Sequence, residues 1–269
     1  MPDDEPRFGA EDVIAIASRL NADDASFVVG GQATNLWAWY YRGRSPELQF
    51  DEPLTSLDID YFGSFRVAQD FAAAIGGQVI KPDTETMNSP NTAIVLTEYE
   101  GKRLLIDFLN GILGVKLKEL ETGVALMLVE ADLEGEPHQV EIAVLHPVLC
   151  LRSRVANMLH PATRRRDAFA WRQLHAAIAV VRCYISERLE VGDWQEAKQC
   201  FADLFRYLRS DPMARQAEAE LDVDLTSILG GFADDPRIEA RYRQFQLGGM
   251  MERLAERRGR ADRDPTPTP

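Results

Sequence analysis

Residues 55–63 read Thr-Ser-Leu-Asp-Ile-Asp-Tyr-Phe-Gly, and their alternation predicts a strand over Leu57–Phe62 with two unlike faces. Side chains at i and i+2 of a strand share a side, so Asp58 and Asp60 project together while Ile59 turns into the core. Two carboxylates at that range repel and raise each other's pKa unless a cation sits between them. Hard divalent cations take oxygen ligands of this kind. The plain alternative is a strand edge carrying two solvated acids, and Asp-x-Asp alone fits both.

Upstream, a short apolar strand over Ser26–Val29 runs into Gly30-Gly31 and then directly into a helix over Gln32 to about Arg42. A helix that starts this way leaves unpaired N–H groups at a positively polarised end, and glycine lets a phosphate come close. The same pair also serves as an ordinary tight turn. Downstream, Asp107 lies inside the apolar run Leu-Leu-Ile-Asp-Phe-Leu. An acid there is costly to bury alone, and a metal partner would remove that cost.

The rest of the first half predicts an α+β domain with a mixed sheet. A helix over Ala10–Leu20 comes first. Gly43–Thr55 reads as a loop. A second helix is capped by Ser64 and ended by Gly76-Gly77, with Phe65, Ala68, Phe71, Ala72 and Ile75 on one stripe. Strands follow near Gln78–Ile80, Thr92–Tyr99 and Lys102–Phe108, the last two joined at Glu100-Gly101. A polar loop, Lys81–Asn91, separates the first two of these. Val124–Glu130 and Gln139–Val144 flank a polar stretch, Ala131–His138. From Pro147 the pattern becomes helical: Val148–Leu159, Thr163–Leu189, Asp193–Arg209 and Asp235–Glu256. The expected organisation is a sheet domain over 1–146, a helical domain over 147–258 and a disordered tail over 259–269, where alternating Thr-Pro resists regular structure.

Composition narrows the class. The chain has 269 residues and a formal charge of −13. Residues 1–150 hold 10 Lys and Arg against 25 Asp and Glu, a net of −15, whereas residues 151–269 hold 20 against 18, a net of +2. An acidic half beside a neutral one suits metal-mediated handling of polyanions, and equally a solvated acidic surface. Three widely spaced cysteines, Cys150, Cys183 and Cys200, read as buried free thiols. With no long apolar run and no leader-like start, a soluble, cytoplasmic protein without a membrane partner is the expectation.

Gly30-Gly31, then Asp58-x-Asp60 on the next strand, then a lone strand acid at Asp107, resembles the signature of the polymerase-β nucleotidyltransferases, and within them the AbiEii-like bacterial proteins. The likeness covers roughly residues 26–110, while Leu151-Arg152-Ser153-Arg154 and Arg166-Asp167 resemble that group's helical half loosely. It implies a nucleotidyltransferase core, a mixed sheet with flanking helices, followed by an α-helical C-terminal domain. It also implies that Asp58, Asp60 and Asp107 are catalytic and hold two Mg²⁺ (or Mn²⁺) ions, with Gly30-Gly31 orienting an NTP triphosphate. Ser56 would orient a carboxylate or a phosphate oxygen and Asn35 would face the same pocket, although each reads equally well as a cap or a packing residue. Among arginines able to clamp phosphate, Arg42, Arg44, Arg152, Arg154 and Arg166 qualify by chemistry, with Arg154 favoured. The interval from Gly31 to Asp58 is longer than in minimal members, so Arg42–Thr55 is expected to be an inserted loop or a longer helix exit.

The activity so implied moves an NMP from an NTP to an RNA or protein hydroxyl, in a toxin-like or defence protein with a possible cognate antitoxin. The competing class is a non-catalytic nucleotide-binding or protein-interaction module on the same fold. His138, His146, His160 and His175 show no metal-ligand spacing, and no nucleophile elbow occurs. Arg164-Arg165-Arg166 is too short for a nucleic-acid patch. Trp37, Trp39, Tyr40 and Tyr41 read as core.

Overall fold

A computed structural model describes residues 7–18, 26–81, 90–133, 136–161 and 163–261. The fold is α+β. Seven strands form one mixed sheet: β1 (Phe27–Val28), β2 (Ile59–Phe62), β3 (Gln78–Ile80), β4 (Asn91–Tyr99), β5 (Lys102–Leu109), β6 (Val124–Leu133) and β7 (Glu136–Leu145), in the order β3-β4-β5-β2-β1-β7-β6. The pairs β2/β5 and β1/β7 are parallel and the others antiparallel.

The alternation in Leu57–Phe62 has the predicted effect. Ile59 and Tyr61 are buried with Leu104, Ile106 and Phe108 of β5, and Tyr61, Phe71 and Phe108 pack with ring centroids 5.1–5.7 Å apart. Burying side chains of this size stabilises by roughly 1.5–3 kcal/mol each. Phe71 comes from α3 (Phe65–Ile75), which begins where Ser64 Oγ accepts the Val67 N–H and ends at Gly76, φ +70°. Asp60 and Phe62 take the opposite face. On that face lies α2 (Gly30–Tyr40), preceded by α1 (Ala10–Ala17). Within α2, Trp37 is buried and donates its indole N–H to the Leu145 carbonyl at 2.9 Å, and it stacks on buried Tyr41. These two are core residues as expected.

Several boundaries differ from the sequence expectation. Strands β6 and β7 continue through most of the polar stretch expected to separate them, pairing Ala131 with His138 and Leu133 with Glu136. Ladder hydrogen bonds hold a hairpin arm whose side chains have no apolar alternation left. A 3₁₀ turn at Pro46–Leu48 appears where loop was expected, and a short helix α4 (Leu117–Thr122) precedes β6. The strand expected to start at Leu57 begins at Ile59, so Asp58 sits in the bend just before it. Residues 82–89, within the predicted loop before β4, lie outside the described residues, as do residues 19 and 20 of the first predicted helix.

The remaining helices are α5 (Pro147–Leu159), α6 (Ala168–Glu190), α7 (Trp194–Ser210), α8 (Pro212–Glu220), α9 (Ser227–Gly230) and α10 (Gly248–Ala261), the last preceded by a π-helical turn at Tyr242–Leu247. The chain divides into two compact units: residues 1–158 with 164–180, and residues 159–163 with 181–269. The break expected at His146 therefore falls later. Helix α5 and the first half of α6 belong with the sheet, because Val148, Leu151, Val155, Leu174 and Ala177 are buried there. In the second unit, α7 supplies Cys200, Phe201, Leu204 and Leu208 to a helical core with Ile228, Leu229, Phe232 and Leu254. Helix α10 runs through residues 259–261, expected as tail; residues 262–269 lie outside the described residues.

Candidate metal centre

Asp58, Asp60 and Asp107 converge. Each offers a carboxylate oxygen, and these oxygens all lie within 4.8 Å of one another. Asp60 and Asp107 are register partners on the parallel pair β2/β5, which aligns their side chains on one face. Asp58 reaches the same point from the bend before β2. Its Oδ1 accepts a hydrogen bond from Ser56 Oγ at 2.9 Å, and Ser56 is pinned by a two-way backbone bridge to Phe8. Asp107 Oδ1 accepts from Asn91 Nδ2 at 3.2 Å, just where a register shift between Asn91 and Ala93 bends β4.

The electrostatics follow from crowding. Burial, then the charge of Asp58, then that of Asp107, push the Asp60 carboxyl up to about 7, with the nearby Arg154 charge opposing them. Asp60 keeps partial surface access, yet its carboxyl group is largely withdrawn from water. Burial and Asp58 likewise raise Asp107. Two carboxyls raised in this way, with a third oxygen donor beside them, fit a hard divalent cation, which would favour the charged forms of Asp60 and Asp107.

Gly30 is required by geometry. Its φ is +64°, and a Cβ placed on it would lie 1.9 Å from Asp60 Oδ2, so the carboxylate occupies the space a side chain would need. The first-turn N–H groups of α2 thus open beside Asp60, where the helix end favours negative charge. Gly31 has a different neighbour. A Cβ there would meet Gln173 Nε2 at 3.0 Å and Arg154 Nη1 at 3.5 Å.

Those two side chains belong to a buried polar chain. Arg154 Nη1 donates to Gln173 Oε1 at 3.0 Å, and Nη2 to Ser153 Oγ at 3.3 Å. Gln173 Nε2 donates to Asn35 Oδ1 at 2.9 Å and, at 3.4 Å, to the Gly31 carbonyl. Asn35 Nδ2 donates to Gln32 Oε1, and Gln32 Nε2 to the Phe8 carbonyl.

The chain matches no family model, no curated protein and no solved structure. The centre is therefore read from its own chemistry.

Of the residues expected to border a phosphate, Ser56 and Gly30 lie at the acids. Asn35 does not open onto them: both ends of its amide are engaged by Gln32 and Gln173. Arg154 is close enough for its charge to act on Asp60, but it is buried and braced by Gln173 and Ser153, with Nε meeting no acceptor among the described residues. The other candidate arginines have partners elsewhere: Arg152 forks onto Glu119 at 2.8 and 3.0 Å, Arg166 Nε donates to the Met158 carbonyl, Arg42 lies 4.2 Å over the Trp39 ring and Arg44 6.0 Å over the Tyr41 ring. Asn91 and Gln173 escaped the sequence reading. A signal existed for Gln173, a polar residue on the buried α6 stripe continued by Ala176, Ala177 and Val180.

Proposed function

We propose that this protein is a divalent-metal-dependent nucleotidyltransferase that moves an NMP from an NTP to a hydroxyl of RNA or protein, the hydroxyl oxygen bonding to the α-phosphorus as pyrophosphate leaves and the hydroxyl proton is lost. The observation that carries the reading is the convergence of Asp58, Asp60 and Asp107 within 4.8 Å beside the glycine start of α2. Oxygen-only donors at this spacing suit Mg²⁺ or Mn²⁺. Bound there, such a cation supplies charge neutralisation and Lewis acidity at phosphate oxygens.

The chain's own residues do the positioning. Ser56 orients Asp58 and Asn91 orients Asp107, so that both present an oxygen to the same point. Gly30 leaves Asp60 room. The α2 first-turn N–H groups suit an anionic phosphate brought alongside. Buried Arg154, tied to Gln173, contributes positive charge behind Asp60 rather than a free clamp.

A non-catalytic module remains the second reading, and it is favoured by that bracing of Arg154, which is buried and tied to Gln173 and Ser153 rather than open to a phosphate. A toxin-like role with a cognate antitoxin rests on the resemblance alone. The discriminating experiment incubates the full chain with each α-labelled NTP, Mg²⁺ or Mn²⁺, and total RNA or protein extract. Metal-dependent label transfer, absent in Asp60→Asn, supports the enzyme. A folded protein that binds metal and NTP yet transfers no label supports the module, and one that binds neither overturns both.

A further inference from the structure

Gln32 sits in the first turn of α2 and is wholly buried, with the polar side chains of Thr34 and Asn35 buried beyond it. An apolar side chain of equal volume would fill that place without needing partners, whereas an amide withdrawn from water is costly unless it is hydrogen-bonded. Gln32 is bonded at both ends. Its Nε2 donates to the Phe8 carbonyl at 3.0 Å, and its Oε1 accepts from Asn35 Nδ2 at 3.2 Å, one turn along the helix.

The Phe8 carbonyl takes a second bond. It accepts the Ser56 N–H at 3.0 Å, while the Phe8 N–H donates to the Ser56 carbonyl at 2.8 Å. Ser56 Oγ in turn donates to Asp58 Oδ1. A short run of hydrogen bonds therefore leads from Asp58 through Ser56 and Phe8 to Gln32, two residues past Gly30, the residue whose bare backbone gives Asp60 its room. On the other side, Asn35 Oδ1 and the Gly31 carbonyl share Gln173 Nε2, which fixes the helix start against α6. Two of the three acids are thus held in one frame. Gln32 is its joint, tying the bend before β2 to the start of α2.

Mg²⁺ demands oxygen ligands at about 2.0–2.1 Å in near-ideal octahedral order, whereas Ca²⁺ accepts about 2.3–2.6 Å and a looser, larger set. Rigidity decides between them. Carboxylates that cannot spread disfavour the larger ion, and carboxylates with slack admit it. We propose that Gln32 is a positioning residue that sets the cation preference of the carboxylate centre, favouring Mg²⁺ over Ca²⁺ by denying Asp58 and Asp60 the freedom to move apart. It acts through Phe8 and Ser56. The role assigned to Gln32 rests on the metal-centre reading and narrows it from a class of cation to one ion within that class.

The test loads the full chain with Mn²⁺ and displaces it with Mg²⁺ or with Ca²⁺, reading the released Mn²⁺ by electron paramagnetic resonance. Wild type is expected to yield to Mg²⁺ at roughly tenfold lower concentration than to Ca²⁺. Gln32→Met and Gln32→Leu fill the place without the amide and should bring that ratio to about one, because Mg²⁺ affinity falls while Ca²⁺ affinity holds. Ser56→Ala, at a half-buried position, breaks the same run further along, shifts the ratio the same way and keeps the test valid if neither Gln32 variant folds. Leu36→Val, a buried change one turn along α2, loosens packing without cutting the run and should leave the ratio as in wild type.

A wild type that holds Mg²⁺ and Ca²⁺ equally, an unchanged ratio in a folded Gln32 variant or in Ser56→Ala, or an equal fall in Leu36→Val overturns the proposal while the metal centre stands. A folded wild type that takes up no Mn²⁺ overturns the centre and the proposal together.

Discussion

Asp60 and Asp107 face one another as register partners across two parallel strands, β2 and β5. Parallel neighbours lie about 4.8 Å apart, so like charges at this position repel at close range in a partly dry setting. Asp58 adds a third carboxylate from the bend before β2. The cluster therefore stores an electrostatic cost that either a proton or a cation relieves.

The proton alternative makes metal-free stability fall as pH rises. Asp60 has a folded value of about 7 against an ordinary 3.8, so its contribution is fully present below the ordinary value and is lost as pH passes through about 7. The upward shift of Asp107 acts in the same direction. Asp60→Asn should remove most of this slope and exceed the wild type by on the order of 2 kcal/mol near pH 8, after discounting for partial solvent access. Urea unfolding with chelator across that range checks it; parallel pH profiles for the two proteins would refute the electrostatic account.

Cation binding should displace that proton. Mn²⁺ affinity is expected to rise from about pH 5 to about pH 8, with proton release visible as a dependence of the binding enthalpy on buffer ionisation. Asp60→Asn should weaken binding by roughly 100-fold or more, and Asn91→Ala or Ser56→Ala by roughly tenfold, since these side chains orient ligands. Equal Mn²⁺ affinity in wild type and Asp60→Asn rules the centre out.

Gly30→Ala tests the closeness of helix and carboxylate. A methyl group there meets Asp60 Oδ2 at 1.9 Å, on a backbone with φ +64°. The variant should lose on the order of 2–4 kcal/mol of stability and most metal binding together, because the acid must move. Gly43→Ala, where an added Cβ meets nothing within 4 Å, is the matched control and should change neither.

The buried polar chain can be cut at either end. Gln173→Ala leaves Arg154 Nη1 and Asn35 Oδ1 without their partner and should cost roughly 2–3 kcal/mol in denaturant unfolding. Arg154→Met, which removes the buried charge while keeping its stem, should cost less than Arg154→Ala. It should also raise the Asp60 pKa further, since the opposing charge is gone; a lowered value by NMR titration contradicts the link.

Much of this was legible in the linear chain because local patterns carry it. Alternation in Leu57–Phe62 separates Ile59 and Tyr61 from Asp60, and Ser64 with Gly76 brackets α3, since strand faces and helix caps depend on residues a few positions apart. The sheet's mixed character, the buried Trp37 and the helical second half follow likewise. No helix among the described residues is long and apolar enough to cross a membrane.

What tertiary structure alone decided is which distant groups meet. The register that sets Asp107 against Asp60, the β4 irregularity that brings Asn91 to Asp107, and the docking of α5 and α6 that puts Arg154 and Gln173 against Gly31 all depend on pairing and packing. A side chain's partner across a sheet or between helices is chosen by the sum of many contacts. No short window of sequence contains that sum, so residue types could be read along the chain while their company could not.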